Sequence, residues 1–222
     1  MEHKLPQYRP IELSAWPRRE HYEYYRTKLK CSYSLTRKMD VTALVRCAQE
    51  RELGKYACFI YVIARTVNGM DEMKMMCTPD GTPGIWERVH PNFTVFHEDD
   101  KTFTDLWTEY EGDFSAFYSQ FRNTMETWGD CHGVKGRPGQ PVNFFCVSCI
   151  PWMDYTGYAT QSAGEPPLFP IVTFGKYVWE GARCVMPVTL TISHAASDGY
   201  HSCMFFQGLQ ENLDQFEQLI SE

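Results

Sequence analysis

The apolar positions along the chain predict its elements before any single residue suggests a function. Residues 18–29, aromatic and charged after Trp16-Pro17, read as a first helix. Asp40 stands where a cap is needed, and Leu44, Val45 and Ala48 fall on one side of a second helix over residues 41–52. Residues 56–67 are mostly apolar (Phe59, Ile60, Val62, Ile63) and too long for one strand, which predicts a buried helix. Between residues 74 and 96, Pro79-Asp80-Gly81 and Pro83-Gly84 separate short runs, as turns separate strands. Phe103, Trp107, Tyr110, Phe114, Phe117, Phe121, Met125 and Trp128 recur at steps of three or four and predict one long helix over 103–128. A loop of four glycines and two prolines, residues 129–141, closes it. Strands are then expected over 142–150, 170–177 and 183–193. A last helix from about Tyr200 aligns Phe205, Leu209, Leu213, Phe216 and Ile220. With no repeat or linker, the pattern implies a single α+β domain over residues 1–222, a mixed β-sheet with helices packed on it.

Composition narrows the function classes. The 222 residues are 43% hydrophobic and 15% aromatic, a folded chain whose core or interface is built from rings. Lysine and arginine number 21 against 28 acidic residues, a formal charge of −7, so the electrostatic footprint of a nucleic-acid binder is missing. No uncharged apolar run reaches the roughly 18 residues of a membrane helix, and the first ten residues carry no apolar signal core. A soluble, cytoplasmic protein is expected, with no membrane partner. Nine cysteines in a long chain without a signal peptide read as reduced thiols. The one C-x-x-C, Cys146 to Cys149, lies in a predicted strand. Residues three apart there point to opposite faces, so neither a redox pair nor a metal grip is expected. No other ligand spacing stands out, and no metal is expected.

The segment Val188-Thr189-Leu190-Thr191-Ile192-Ser193-His194 carries the sharpest chemical signal. Even positions are apolar and odd positions polar, so His194 continues the apolar face at the end of a strand. Partial desolvation there favours neutral imidazole. Asp198 and Gly199 follow, and then the last helix. These residues alone leave two readings open: a packed core histidine with Asp198 as helix cap, or a reacting imidazole on a tight turn.

The neighbouring segments add to this. Trp16-Pro17-Arg18-Arg19-Glu20-His21, Phe93-Thr94-Val95-Phe96-His97-Glu98, Asn143-Phe144-Phe145-Cys146-Val147-Ser148-Cys149-Ile150-Pro151-Trp152 and Pro170-Ile171-Val172-Thr173-Phe174-Gly175-Lys176-Tyr177 occur in this order before His194-x-x-x-Asp198-Gly199. Together they resemble the chloramphenicol acetyltransferases of the classical trimeric type, over nearly the whole chain. The resemblance implies that family's CoA-dependent acyltransferase fold, with acetyl-CoA as co-substrate and chloramphenicol as acceptor. It implies His194 as general base, Ser148 as oxyanion donor, Thr173 near the same intermediate, and Asp198 paired with Arg18 to hold the histidine turn. Tyr25, Tyr33, Phe103, Cys146 and Thr160 match acceptor-pocket positions, and Trp152, Lys176 and Tyr177 match positions near the coenzyme. For each of these last three, a core aromatic or a solvated lysine is an equal alternative. It further implies a homotrimer with active sites between subunits. Ser193 and Ser197 stand where the family usually has histidine and cysteine, and Cys146 and Thr160 where larger apolar residues usually wall the pocket. Transfer to another hydroxylated small molecule, or an inactive trimeric binding protein, are the competing expectations.

Overall fold

The structure, a computed structural model, describes residues 6–160 and 164–221. Its spine is strand β10, Arg183–Ser193, with the bounds that the alternation predicts. β10 pairs antiparallel with β2, Ser32–Asp40, over most of its length, from Ser193↔Ser32 to Val185↔Asp40. On its other side it pairs with β8, Ile171–Gly175, and near its start with β9, Val178–Glu180. β7, Phe144–Ile150, joins β8 in parallel and is followed by β5, His90–Phe96, also parallel, and by β6, Phe103–Trp107, antiparallel. The order β2-β10-β8-β7-β5-β6 makes one mixed sheet, as expected. A smaller sheet holds β1 (Tyr8–Pro10), β3 (Met75–Cys77) and β4 (Pro83–Trp86) in the order β1-β4-β3.

The large sheet has two unlike faces. Val188, Leu190, Ile192, Val172, Phe174, Phe145, Val147 and Phe93 are buried on one face. They belong to the core with helices α2 (Thr42–Glu50), α3 (Lys55–Asn68), α4 (Phe114–Trp128) and α5 (Gly199–Asp214). Each such side chain contributes about 1.5–3 kcal/mol of transfer free energy, enough to fix the register. The opposite face is lined by hydroxyls. Ser34 meets Thr191 at 2.6 Å, Thr36 meets Thr189 at 2.8 Å, and Thr189, Thr173 and Ser148 lie laterally in register. Residues between β7 and β8 cover part of it: the Tyr155 hydroxyl donates to the Thr173 carbonyl and accepts from the Thr189 hydroxyl. Helix α1, Arg19–Thr27, lies where the first helix is predicted, and α6, Phe216–Leu219, ends the chain's helices.

One prediction fails. The aromatic stripe from Phe103 to Trp128 is two elements: Phe103–Trp107 is strand β6, paired with β5, and the helix begins at Phe114. Gly112, at φ 94°, turns the chain, and Asp113 caps α4 by accepting the Ala116 amide. Phe103 and Trp107 match helical spacing by coincidence, while Thr104 and Leu106 alternate into the core.

A half-buried histidine links the fold to pH. His90 Nδ1 accepts the Tyr110 amide, and burial, helped by Arg88, pushes its pKa down to about 4. The folded protein resists a proton that the unfolded chain accepts near 6.5. This stability is complete above the unfolded value and is lost as pH falls from about 6.5 towards 4, a few kcal/mol at most. His90→Gln keeps an acceptor and cannot titrate. The drop in urea midpoint between pH 7 and pH 5 should shrink in this variant; an unchanged drop would refute the assignment.

Candidate active site

The turn after β10 is built tightly. The Ala196 and Ser197 amides donate to the Ser193 carbonyl at 3.0 and 3.1 Å, and the His194 amide donates to the Cys31 carbonyl at 3.0 Å. Arg18, just before α1, reaches across. Its guanidinium donates to the carbonyls of Ala196 (2.6 Å), Ala195 (3.3 Å) and His194 (3.4 Å), with Nε 3.6 Å from an Asp198 carboxylate oxygen. The expected Arg18–Asp198 pair is present, and the three carbonyls are the larger part of the grip. Asp198 caps α5 through the Tyr200 amide and meets His201 Nδ1 at 2.8 Å. Burial alone would raise its carboxyl; His201 and Arg18 outweigh this and hold it below the usual carboxylate range.

Two rings clamp the His194 imidazole. Tyr25 stacks on it at 3.8 Å and 5°, and Tyr33 meets it edge-on at 5.1 Å. Tyr33 is itself fixed, its hydroxyl 2.7 Å from the Ser202 hydroxyl and 3.2 Å from that of Ser197. The serine at 197 therefore acts as a hydrogen-bond partner inside the turn. Nδ1 of His194 is buried with no hydrogen-bond partner, and among the described residues Nε2 also has none. A core histidine satisfied by its surroundings, the competing sequence reading, does not describe this ring.

The remaining predicted site residues lie elsewhere. Phe103, Cys146, Ser148 and Thr173 share the hydroxyl-bearing face, and Thr160 lines a cavity of about 70 Å³ there with Ser32, Ile171, Thr191 and Ser193. The Ser148 hydroxyl makes no hydrogen bond to a described residue. Burial pushes the Cys146 thiol up to about 11 and that of Cys149 to about 12, so both stay neutral. Cys149 packs against the core on the other face, as the strand geometry predicts. Trp152 is 59% exposed, edge-on to Phe96 at 4.6 Å, and Lys176 is exposed. Tyr177 leans on the core near Phe59. Gly175 has a steric reason: a Cβ there would sit 2.7 Å from the Met153 carbonyl oxygen and 2.7 Å from Pro187. Its absence lets the segment after β7 cross β8, where the Lys176 amide donates to Met153. Sequence reasoning did not single out Asn92, 3% exposed beside Cys146 with its Oδ1 unpartnered. The alternation of β5, which puts Asn92, Thr94 and Phe96 on one face, was the signal.

The chain keeps His194 and Ser148 apart. Thr189 is in register with Ser148 two strands away, and His194 lies five residues further along β10. At about 3.3 Å per residue and 4.8 Å per strand, the imidazole and the serine are roughly 19 Å apart, on opposite faces. Hollows of about 450 Å³ beside Trp86 and 500 Å³ beside Tyr110 include neither residue.

The family model described as chloramphenicol acetyltransferase matches residues 6–210. The chain belongs to this family. Among similar proteins, the chloramphenicol acetyltransferase of Clostridium perfringens is 35% identical over 202 residues, 90% of this chain and 96% of the relative. That of Vibrio anguillarum is 33% identical over 215 residues, 95% and 96% of the two chains. That of Escherichia coli is 33% identical over 218 residues, 98% and 99%. A solved chloramphenicol acetyltransferase superposes with a TM-score of 0.82 at 19% identity, covering 93% of this chain and all of the other. The dihydrolipoamide acetyltransferase of Azotobacter vinelandii superposes with a TM-score of 0.62 at 14% identity, covering 99% of this chain and 94% of that one. These likenesses establish the predicted CoA-dependent acyltransferase fold, in a family that uses acetyl-CoA as co-substrate.

Arg18→Met keeps the side-chain bulk and removes the donors to three carbonyls. Amide exchange over residues 195–198 should quicken at least ~10-fold, as expected for about 1.4 kcal/mol of lost local stability, with the middle of β10 unchanged. Unaltered exchange in the turn, or a uniform rise along the chain, would refute the local role.

Proposed function

We propose that this chain transfers the acetyl group of acetyl-CoA to a hydroxyl of chloramphenicol, conferring antibiotic resistance, at sites built between the chains of a cytoplasmic homotrimer. The observation that carries the chemistry is the His194 ring, clamped by Tyr25 and Tyr33, with an unpartnered Nε2. Neutral Nε2 takes the acceptor hydroxyl's proton as the oxygen attacks the thioester carbonyl. The tetrahedral oxyanion is met by the Ser148 hydroxyl of a second chain. Collapse breaks the C–S bond, and the departing thiolate recovers the proton from His194. General-base catalysis of this kind supplies roughly 10²–10⁴-fold, and one oxyanion donor on the order of 3 kcal/mol. Thr173, laterally paired with Ser148, borders the same position. Arg18 and Asp198 position the histidine turn.

The separation of His194 from Ser148 in one chain supports the shared site, since only a head-to-tail contact between copies lets both face one substrate. Trp152, exposed rather than packed in the core, supports contact with the coenzyme as a ring for its adenine or pantetheine arm, and Lys176 would supply a cation for phosphate. Tyr177 would serve there by its edge. Tyr25, Tyr33, Phe103, Cys146 and Thr160 form the acceptor pocket in this reading. Neutral Cys146, Thr160 and the unpartnered Oδ1 of Asn92 make that wall more polar, which favours a second reading in which a more hydroxylated molecule is the acceptor.

Purified protein with acetyl-CoA and a thiol reagent should release thiol in proportion to added chloramphenicol. His194→Ala should lower kcat by at least the roughly 10²-fold of a lost base, with unchanged oligomer size. Release only with other alcohols would move the acceptor assignment to the second reading. Silence with every acceptor, or near-normal turnover in His194→Ala, would sink the mechanism.

A further inference from the structure

We propose that His97, Asp99 and His132 form a binding site for one transition-metal dication of the zinc class, apart from His194, Ser148 and Thr173. The residues come from two places. His97, Asp99 and Asp100 lie in the turn between β5 and β6, and His132 lies in the glycine-rich loop after α4. The fold stacks the two imidazoles at 4.2 Å and 21°. One donor atom from each of His97, Asp99 and His132 lies within 4.8 Å of the others.

Hydrogen bonds around the pair set up the donors. The Thr104 hydroxyl donates its single proton to the Cys131 carbonyl at 2.8 Å, because a carbonyl can only accept. The same oxygen lies 2.8 Å from His97 Nε2 and must accept there, so Nε2 carries the proton. In the neutral ring this leaves the lone pair on Nδ1 for an ion. His132 Nδ1 lies 2.8 Å from the Asp100 carboxylate, the second-layer contact that orients a ligating histidine. That leaves His132 Nε2 beside Asp99, 3.5 Å from its oxygen. A tetrahedral zinc with bonds of about 2.0–2.1 Å holds neighbouring donors about 3.3–3.4 Å apart. The Nε2–Asp99 edge already has that length. His97 is buried and fixed, whereas His132 and Asp99 are exposed and can turn to close the two edges to His97.

Two neutral imidazoles and a carboxylate suit zinc and its neighbours better than calcium or magnesium. Three protein donors leave a fourth position for water. The ion would tie the β5–β6 turn to the loop that carries Lys135 and Arg137. Lys135 pairs with Asp105 at 2.8 Å, and the Arg137 guanidinium lies 3.7 Å over Trp107. Asp105 and Trp107 are on the sheet face of Ser148, so the clip would stiffen the wall beside it. The competing reading is a cluster without an ion, with His132 held between Asp99 and Asp100 by these contacts alone.

Calorimetric titration of the metal-stripped full chain with Zn²⁺ separates the two. One ion per chain should bind at micromolar or lower concentration. His132→Ala should weaken it at least 100-fold and Asp100→Asn roughly 10–100-fold, while Cys131→Ser should leave it unchanged. Absence of binding in folded protein, or binding that His132→Ala leaves intact, overturns the site and leaves the cluster a set of contacts between His132 and its two carboxylates.

Discussion

Period-two geometry in a single sheet governs the rest of this molecule. Each strand sends alternate side chains to a face packed by helices and a face lined by hydroxyls. Burial of Val188, Leu190 and Ile192 makes a one-residue slip of β10 prohibitive, since it would exchange those side chains for threonines. The same constraint assigns His194 to one side and Ser148 to the other. Two groups expected to act on one substrate are thereby kept apart in the chain, and the proposed site unites them through a second copy.

Around that constraint the local devices are economical in residues. Arg18 draws three carbonyls of the turn into one guanidinium, Tyr25 and Tyr33 restrict the imidazole to one plane, and Asp198 begins the helix that follows. Ser197 and Ser202 hold the Tyr33 hydroxyl, so the departure at 197 from the usual family residue has a structural partner. The departures at Cys146 and Thr160 lie on the opposite face, beside Ser148, where they change the polarity of a pocket wall without touching the histidine turn.

The sequence made β10 legible to the residue because alternation, a charged start and a turn at its end agree. The buried helix α3 was legible for the simpler reason that nearly every residue in it is apolar. The stripe from Phe103 misled because 103 to 107 is also a helical step; Gly112 and the Asp113 cap were the signals that should have divided it. β2 went unseen because it is an edge strand: Leu35 and Arg37 are exposed where its partners are buried, so its hydropathy does not alternate cleanly. The motifs of both half-sites were readable, but their separation was not. Strand order decides it, and no local pattern states that β8 stands between β10 and β7. For the same reason the approach of His132 to His97 left no trace in residue spacing.

The shared site is tested most directly by co-expressing His194→Ala and Ser148→Ala chains under two purification tags and isolating the mixed oligomers. Each homotrimer alone is expected to be nearly inactive. In a closed head-to-tail trimer containing both kinds of chain, one of the three sites joins an intact histidine to an intact serine. The isolated mixed trimers therefore carry about a third of their sites intact, and acetyl transfer should return in that proportion. Verified mixed trimers that recover no activity would contradict the account, as would a fully active monomer.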